Sequence, residues 1–220
     1  IIACKQPAFA IFYLLSTGPV SDPAIKFNLS ATDNTKINAY KIDESSSDPA
    51  SWTDVEPAVS SLSVSNSDYT ITGGAGLRTI YAHVRDIAGN ISHASFTVTL
   101  DQTEPSWASG WPKCDTITDA AFTAKAKTNE SGKAYYLVLA DGTASPTSEQ
   151  VKTGGGIKSG NFVLAANTES SHVVNGLSAK TSYDVWFAAD DAAGNLQSAP
   201  VKRDITTNGA NLVVSGGSPV

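Results

Sequence analysis

The sequence predicts two small all-β domains in tandem, each an antiparallel β-sandwich. The main observation is a repeat: a strand ending in Asp-x-Ala-Gly-Asn at residues 81–90 returns at residues 183–195, about 100 residues later. In both copies a second strand follows the turn, as in a β-hairpin. Only 16% of the residues are charged, which is typical of antiparallel sheets with one polar face. The length of 220 residues suits two domains with a core each.

The first domain is predicted to span residues 9–100. Apolar and polar side chains alternate along its strands, most clearly in 25–31, which indicates half-buried strands. The predicted strands are 9–15, 25–31, 37–42, 59–64, 69–72, 79–84 and 91–100. Turns are expected at 33–36 and 73–76 and a polar loop at 45–57, because Gly, Asn, Asp, Ser and Pro accumulate there.

The second domain is predicted to span residues 106–207, after a short linker, residues 101–105, that Pro105 stiffens. The predicted strands are 121–127, 133–139, 162–165, 172–174, the repeated strand that starts at Tyr183, and 196–205. A long loop is expected at 141–160. No stretch of about 11 residues has helical apolar spacing, so no helix is expected. The spacing of Leu177, Thr181 and Tyr183 predicts a tyrosine corner, in which the phenol hydroxyl bonds to backbone upstream.

Several of these segments resemble known bacterial modules. The second domain resembles bacterial fibronectin type III-like domains through residues 129–136, 146–151, 177–183 and 191–195. The first resembles the bacterial immunoglobulin-like domains of large surface proteins, through residues 30–34, 39–46 and 80–90. The resemblance implies tandem sandwiches in an extracellular protein of the bacterial surface. Such modules occur in adhesins, stalks, filaments and enzyme appendages, so the resemblance implies a fold more specifically than a function.

Charge and hydropathy exclude two classes of partner. The formal net charge is −6, whereas nucleic acid requires a basic surface. The same charge disfavours attachment to anionic lipid. No apolar run reaches the roughly 18 residues that span a bilayer, so the chain is not expected to be transmembrane.

The sequence offers no catalytic constellation, and we expect no enzyme activity. A hydrolytic triad requires a nucleophile, a base and an orienting acid, but only His83, His93 and His172 are present. His83 alternates with Ala82 and Val84 along a strand, so we expect it on the solvated face of the sheet. The glycine-rich stretch 154–159 lacks the glycine spacing of a phosphate loop and is interpreted as a loop.

Three kinds of binding residue remain as hypotheses. Asp86 and Asp191 are expected to cap their turns, but Asp86, Asp101 and Glu104 could instead converge on calcium, which takes six to eight oxygen ligands. No other cofactor is expected. A glycan platform would need a row of exposed aromatic rings, and its candidates are Trp52, Trp107, Trp111 and Trp186, although Trp107 and Trp111 are more simply explained by packing near the junction. Cys4 and Cys114 have no metal-site spacing; they are free thiols or form a disulfide between subunits.

The two terminal segments, residues 1–8 and 208–220, suggest self-assembly. Both carry apolar residues outside the expected sandwiches, and an extended segment of one chain can complete the sheet edge of another. The expected assembly contacts are Ile1, Ile2, Phe9, Ile11, Leu212, Val213 and Val214. Residues 211–215 are one candidate donor, and the N-terminal segment with the strand 9–15 is the other candidate, as donor or as acceptor edge. Head-to-tail contacts give open filaments, so we predict a homopolymeric, fimbria-like subunit. The alternatives are an adhesin stalk or glycan-binding module, and an accessory segment of a larger extracellular enzyme.

Overall fold

The computed structural model describes residues 5–209, and the chain divides into two compact units between Gln102 and Thr103. Within the described residues there are twelve strands and one short helix, which confirms the all-β prediction. The strands of the first unit are β1 Ala8–Leu14, β2 Ala24–Asp43, β3 Thr53–Thr70, β4 Gly76–Asp86 and β5 Ile91–Leu100. The elements of the second unit are β6 Lys113–Asp115, β7 Ala121–Ala126, β8 Gly132–Ala140, α1 Ser148–Thr153, β9 Lys158–Leu164, β10 Ser170–Asn175, β11 Ser182–Asp191 and β12 Val201–Thr206.

The first unit is built around β2, which takes part in both layers of the sandwich. Its first half pairs with β1 on one side and with residues 61–70 of β3 on the other. Its second half pairs with β4 and with residues 53–59 of β3, and β4 pairs with β5. The ladder shifts register between Thr32 and Ile37, where the strand passes from one layer to the other.

This arrangement corrects the predicted strand boundaries of the first unit. Segments 25–31 and 37–42 are two halves of β2. Segment 59–64 and the first two residues of segment 69–72 lie within β3, which also takes in the end of the predicted loop 45–57. The predicted turn at 33–36 lies inside β2, although Lys36 has a left-handed φ of 78°. There the backbone N–H and hydroxyl of Thr35 both donate to the Asp33 carboxylate, so side chains satisfy polar groups locally at the crossing.

Alternating residues of β2 supply much of the first core. Phe27, Leu29 and Ala31 point inward and are almost fully buried. Phe12 of β1 reaches across to β5, with its ring centroid 4.8 Å from that of Phe96. This packing closes one side of the sandwich and directs the alternate side chains of β1 outward.

The second unit is a sandwich of two sheets, with strand orders β10-β7-β6 and β12-β11-β8-β9. Phe122 and Phe187 meet between the sheets with no exposed surface. The same order of pairing occurs in the first unit once β2 and β3 are divided into halves. The repeated turn motif therefore marks two copies of one architecture.

Two elements of the second unit were not predicted. The short strand β6 pairs with β7 through Lys113, Cys114 and Asp115. Within the predicted loop 141–160, Thr147 and Gln150 form a capping box that starts α1. At six residues, the helix is too short for an apolar repeat to be visible in the sequence. Its Val151 is buried on the outer face of the sheet beside Trp186.

The residues predicted as a linker, 101–105, are ordered by local contacts. Glu104 accepts hydrogen bonds from the Ser198 N–H and hydroxyl, at 2.6 and 3.1 Å. The Pro105 carbonyl accepts from the Gln197 side chain at 2.9 Å. Both residues therefore pack on the second unit. No helix within residues 5–209 is long and apolar enough to cross a bilayer.

Candidate functional site

The two Asp-x-Ala-Gly-Asn turns have the same hydrogen bonds. Asp86 accepts from the N–H of Ala88 at 2.9 Å, and from the N–H and side-chain amide of Asn90 at 2.8 and 2.7 Å. Asp191 does the same with Ala193 and Asn195, at 2.8 to 2.9 Å. Gly89 and Gly194 have φ of 88° and 93°, a conformation that glycine adopts without strain. The predicted turn chemistry is present in both copies.

Hydrogen bonding also decides the charge state of Asp86. Burial raises the pKa of its carboxyl, but hydrogen bonds from Asn90, Thr35 and Ala88 outweigh burial and bring the pKa below its ordinary value. The carboxylate is 1% exposed, and four donors already surround it. Of the other calcium candidates, Glu104 is engaged by Ser198 and Asp101 is half-buried after β5. The calcium hypothesis stays a prediction.

A second carboxylate group lies in the second unit and was not identified from the sequence. Ligand atoms of Asp141, Asp184 and Asp204 lie within 4.8 Å of one another. Lys202 lies among them, with its Nζ 2.8 Å from Asp184 and 2.9 Å from Asp204. Hydrogen bonds to Asp184 and Asp204 raise the pKa of Lys202, so its ammonium group offsets part of the negative charge of the three carboxyl groups. Asp184 and Asp204 face each other across β11 and β12, a pairing visible only in the folded sheet.

His83 is fully buried, which corrects the expectation of a solvated position. It does lie on the outer face of the sheet, but the chain after β2 covers it: its Nε2 is 3.0 Å from the carbonyl oxygen of Ser45 and 3.4 Å from Asp43. The ring of His93 is 5.7 Å away. The nearest serine contact is a carbonyl and not a hydroxyl, so no nucleophile-base pair forms around His83.

The four tryptophans do not form a common surface row. Trp186 is 8% exposed beneath α1, and Trp107 packs on the core of the second unit itself. Trp52 lies under Arg85, and Trp111 under Lys113, at 4.8 and 4.7 Å from ring centroid to cation. The glycan-platform hypothesis therefore loses Trp107 and Trp186, since both rings contribute to packing.

Cys114 is a free thiol that packs against the core of the second unit. Burial raises the pKa of its thiol to about 12, with a smaller opposing effect from Arg203. A thiol of this kind is a poor nucleophile, which disfavours Cys114 in a disulfide between subunits. Cys4 lies outside the described residues, so the predicted disulfide remains a prediction.

Of the predicted assembly residues, Phe9 and Ile11 lie in β1, whereas Ile1, Ile2, Leu212, Val213 and Val214 fall outside the described residues. Phe9 packs on the core of the first unit. Ile11 is 46% exposed, and so is Tyr13, while Leu15 directly after the strand is 43% exposed. We call Ile11, Tyr13 and Leu15 the β1 stripe; all three lie in the strand 9–15 that the sequence offered for assembly, and Ile11 was also named as a single contact.

The tyrosine corner is present in the second unit. The Tyr183 hydroxyl accepts a hydrogen bond from the Ser178 N–H at 2.9 Å, and the Tyr183 ring is buried between the sheets. The strand orders β10-β7-β6 and β12-β11-β8-β9 and the tyrosine corner are hallmarks of immunoglobulin-like sandwiches, the architecture to which fibronectin type III domains belong. The second unit is a fibronectin type III-like domain.

Comparisons with known proteins agree with this fold. No family model matches the chain. The chain is similar to Chitinase A1 of Niallia circulans, with 30% identity over 184 residues, which is 84% of this chain and 24% of that protein. The chain thus spans about a quarter of the length of that relative.

Solved structures of fibronectin modules are also similar. The match to the crystal structure of the chicken CNTN1 FN1-FN3 domains covers 93% of this chain and 69% of that chain, with 12% identity and a TM-score of 0.46. The match to the fibronectin(III)-like modules of Clostridium thermocellum CbhA covers 95% of this chain and 100% of that chain, with 14% identity and a TM-score of 0.44. At these values the likeness carries no argument about this chain, and the assignment depends on the strand order and the tyrosine corner.

Proposed function

We propose that this chain is a non-catalytic structural segment of an extracellular bacterial protein, and that its copies assemble head to tail through their terminal segments. The observation that carries the assembly is the β1 stripe, in which Ile11, Tyr13 and Leu15 are each more than 40% exposed at a sheet edge. Exposed apolar edge strands are uncommon in proteins that remain monomeric. The contacts are not self-closing, so the product is an open filament.

The non-catalytic role is supported by what the polar residues do. Asp86 and Asp191 cap turns, and Glu104 holds Ser198. His83 contacts a backbone carbonyl. Each of these polar groups therefore has a structural contact that accounts for its position.

Assembly is tested by truncation. Deleting residues 210–220, or separately residues 1–4, removes only segments outside the described sandwiches, so both units should stay folded. We expect at least one deletion to abolish filaments in negative-stain images and to give a monomer by sedimentation velocity. Circular dichroism of each variant provides the control for folding. Persistent assembly in both variants, or a monomeric intact chain at high concentration, would contradict the proposal.

A second candidate function is a spacer or glycan-binding module within a larger secreted protein. The similarity to a stretch that makes up 24% of Chitinase A1 favours it, because modules of this fold separate or support other domains. A monomeric intact chain would favour the spacer. Retention on insoluble chitin, lost in Trp52→Ala or in Trp111→Ala, would favour the binding module. The two candidates are therefore separable by sedimentation and by a pull-down assay.

A further inference from the structure

The free edge of β1 is an open site for another strand. Among residues 5–209, β2 is the strand that pairs with β1, and β1 lies at the end of its sheet. The ladder shifts register between Phe9 and Ile11 and is regular from Ile11 onward. It continues beyond the strand, because the Leu15 N–H donates to the Lys26 carbonyl at 3.0 Å. Residues 11–15 thus present a regular edge of five residues.

Other edge strands of the first unit are protected by polar side chains, but β1 is not. The outward residues of β3 opposite the first half of β2 include Ser61 and Ser63, and β5 presents His93, Ser95 and Thr97. In β1 the corresponding positions are Ile11 and Tyr13. Natural proteins place polar or charged groups at sheet edges to block pairing between chains. A strand edge that accepts a partner strand would instead have to be apolar and uncharged, as β1 is.

The C-terminal segment has the composition of such a partner. Residues 211–215, Asn-Leu-Val-Val-Ser, follow directly on the described part of the chain and lie between glycines at 209 and 216–217. The segment has residues that favour β-strands and carries no charge, and the same is true of residues 8–15. Five residues span about 17 Å as a strand, which matches the length of the regular edge at residues 11–15. The described chain is fixed close to this segment, because Asn208 bonds to the backbone of Ile117 and Thr118.

We infer that the free edge of β1 is the acceptor site for residues 211–215 of a second copy of this chain. This inference rests on the proposed head-to-tail assembly and assigns its two halves: β1 accepts and the C-terminal segment donates. Backbone hydrogen bonds supply the pairing. Side chains alternate between the two faces of a strand, so Leu212 and Val214 of the donor share one face and Val213 lies on the other. The donor side chains on one of these faces pack beside the β1 stripe.

Charge on the β1 stripe tests the acceptor. In the full-length chain, Ile11→Lys with Leu15→Lys should raise the concentration needed for assembly about tenfold or more, because two cross-strand apolar pairs are lost and ammonium groups are buried. The matched control, Ser61→Lys with Ser63→Lys, places the same charges on β3 of the same sheet and should assemble normally. Thermal unfolding of both variants checks the fold. Equal assembly by the two double variants would overturn the acceptor assignment.

Cysteine cross-linking identifies the donor and its origin. With Cys4 and Cys114 replaced by Ser and Ala, one population carries Ile11→Cys and the other carries Cys at 212, 213 or 214. After mixing and mild oxidation, we expect disulfide-linked dimers. They should form efficiently either with Cys at 212 and 214 or with Cys at 213, but not with all three, because only paired residues on the same face of the sheet come within disulfide range. Filaments without any such dimer would overturn the inference.

A chain that carries both cysteines distinguishes a second copy from the same chain. Cross-links that form at high dilution, within monomers, would show that the segment folds back on its own β1 and would overturn the inference. A failure of the proposed function has a different result: the intact chain is then monomeric at all concentrations. Assembly that survives the lysine variants leaves the filament in place and removes only the β1 acceptor.

Discussion

Single residues in this protein satisfy buried polar groups at defined points of each sandwich. Tyr183 and Asp86 illustrate this: one phenol oxygen accepts one backbone N–H, and one carboxylate organises a whole turn. Because buried polar groups are costly when unpaired, the loss of one contact should be measurable against the small net stability of a domain.

Replacing Tyr183 by Phe should destabilise the second unit by roughly 1 kcal/mol or more, because the Ser178 N–H loses its partner while the ring still packs. Chemical denaturation followed by circular dichroism gives the free energy of unfolding. Tyr13→Phe is the matched control, since its hydroxyl contacts Asn28 at 2.8 Å on the exposed surface. A Tyr183→Phe protein as stable as wild type would remove the tyrosine-corner argument.

Asp86 should make the first unit sensitive to acid. Its folded pKa lies below the ordinary value, so its stabilising contribution is complete above the unfolded pKa of about 3.9 and is lost as pH falls through the folded pKa. Asp86→Asn should therefore be less stable at neutral pH and lose less stability on acidification. Unfolding measured from pH 7 down to about pH 2 tests this, with the exposed Asp48→Asn as control. Parallel curves for wild type and Asp86→Asn would show that Asp86 is not responsible.

Cys114 should react slowly with alkylating reagents in the folded protein. Burial raises the pKa of its thiol to about 12, so the thiolate is scarce at pH 8 and the sulfur is poorly accessible. In a Cys4→Ser background, mass spectrometry should show little labelling until denaturant is added. Rapid labelling of the native protein would place Cys114 at an accessible surface and revive it as a candidate for the disulfide between subunits.

At the scale of elements, the close approach of β8 to β11 depends on a residue without a side chain. A Cβ at Gly132 would lie 1.9 Å from the carbonyl oxygen of Asp190, and this strand pair carries much of the second core. Because the neighbouring atom is backbone, it cannot rotate away, and the two strands would have to separate.

Gly132→Ala should therefore destabilise the second unit by about 2 kcal/mol or more. Gly74→Ala is the control, because its Cβ would meet nothing closer than the end of the Arg78 side chain at 3.9 Å. Thermal unfolding compares the two variants. Equal melting of Gly132→Ala and wild type would indicate that β8 and β11 are farther apart than described.

At the scale of the whole molecule, assembly has to overcome the repulsion between chains of net charge −6. The segments proposed to meet, residues 8–15 and 208–220, contain no charged side chain. Salt screens repulsion between copies without weakening an apolar, backbone-paired contact.

Raising the salt concentration should therefore promote assembly. Sedimentation velocity from about 20 mM to 500 mM NaCl should show a growing polymer fraction, since the Debye length falls well below 10 Å over this range. The tail-deleted chain, which keeps the net charge, should stay monomeric throughout. Filaments that dissolve in salt would point to ion pairs as the contact and contradict the proposed interface.

The sequence by itself determined the class of fold, the repeat and the local chemistry of its turns. Asp86, Gly89 and Asn90 act within five residues of chain, and Tyr183 reaches back five residues to Ser178. Such contacts depend on local spacing, which a sequence displays directly. For the same reason, the two sandwiches could be predicted from the repeated turn motif together with strand alternation.

Only the tertiary structure decided where strands end, what covers them and which edge is open. β2 and β3 run through predicted breaks because each half finds a partner in a different layer. His83 is buried because Ser45, 38 positions earlier, lies over it. Lys202 joins Asp184 and Asp204 across two strands, and only the structure shows that Tyr13 and Leu15 are exposed on a strand at the end of its sheet. Each of these facts depends on residues distant in sequence, whose meeting is fixed by sheet pairing and packing.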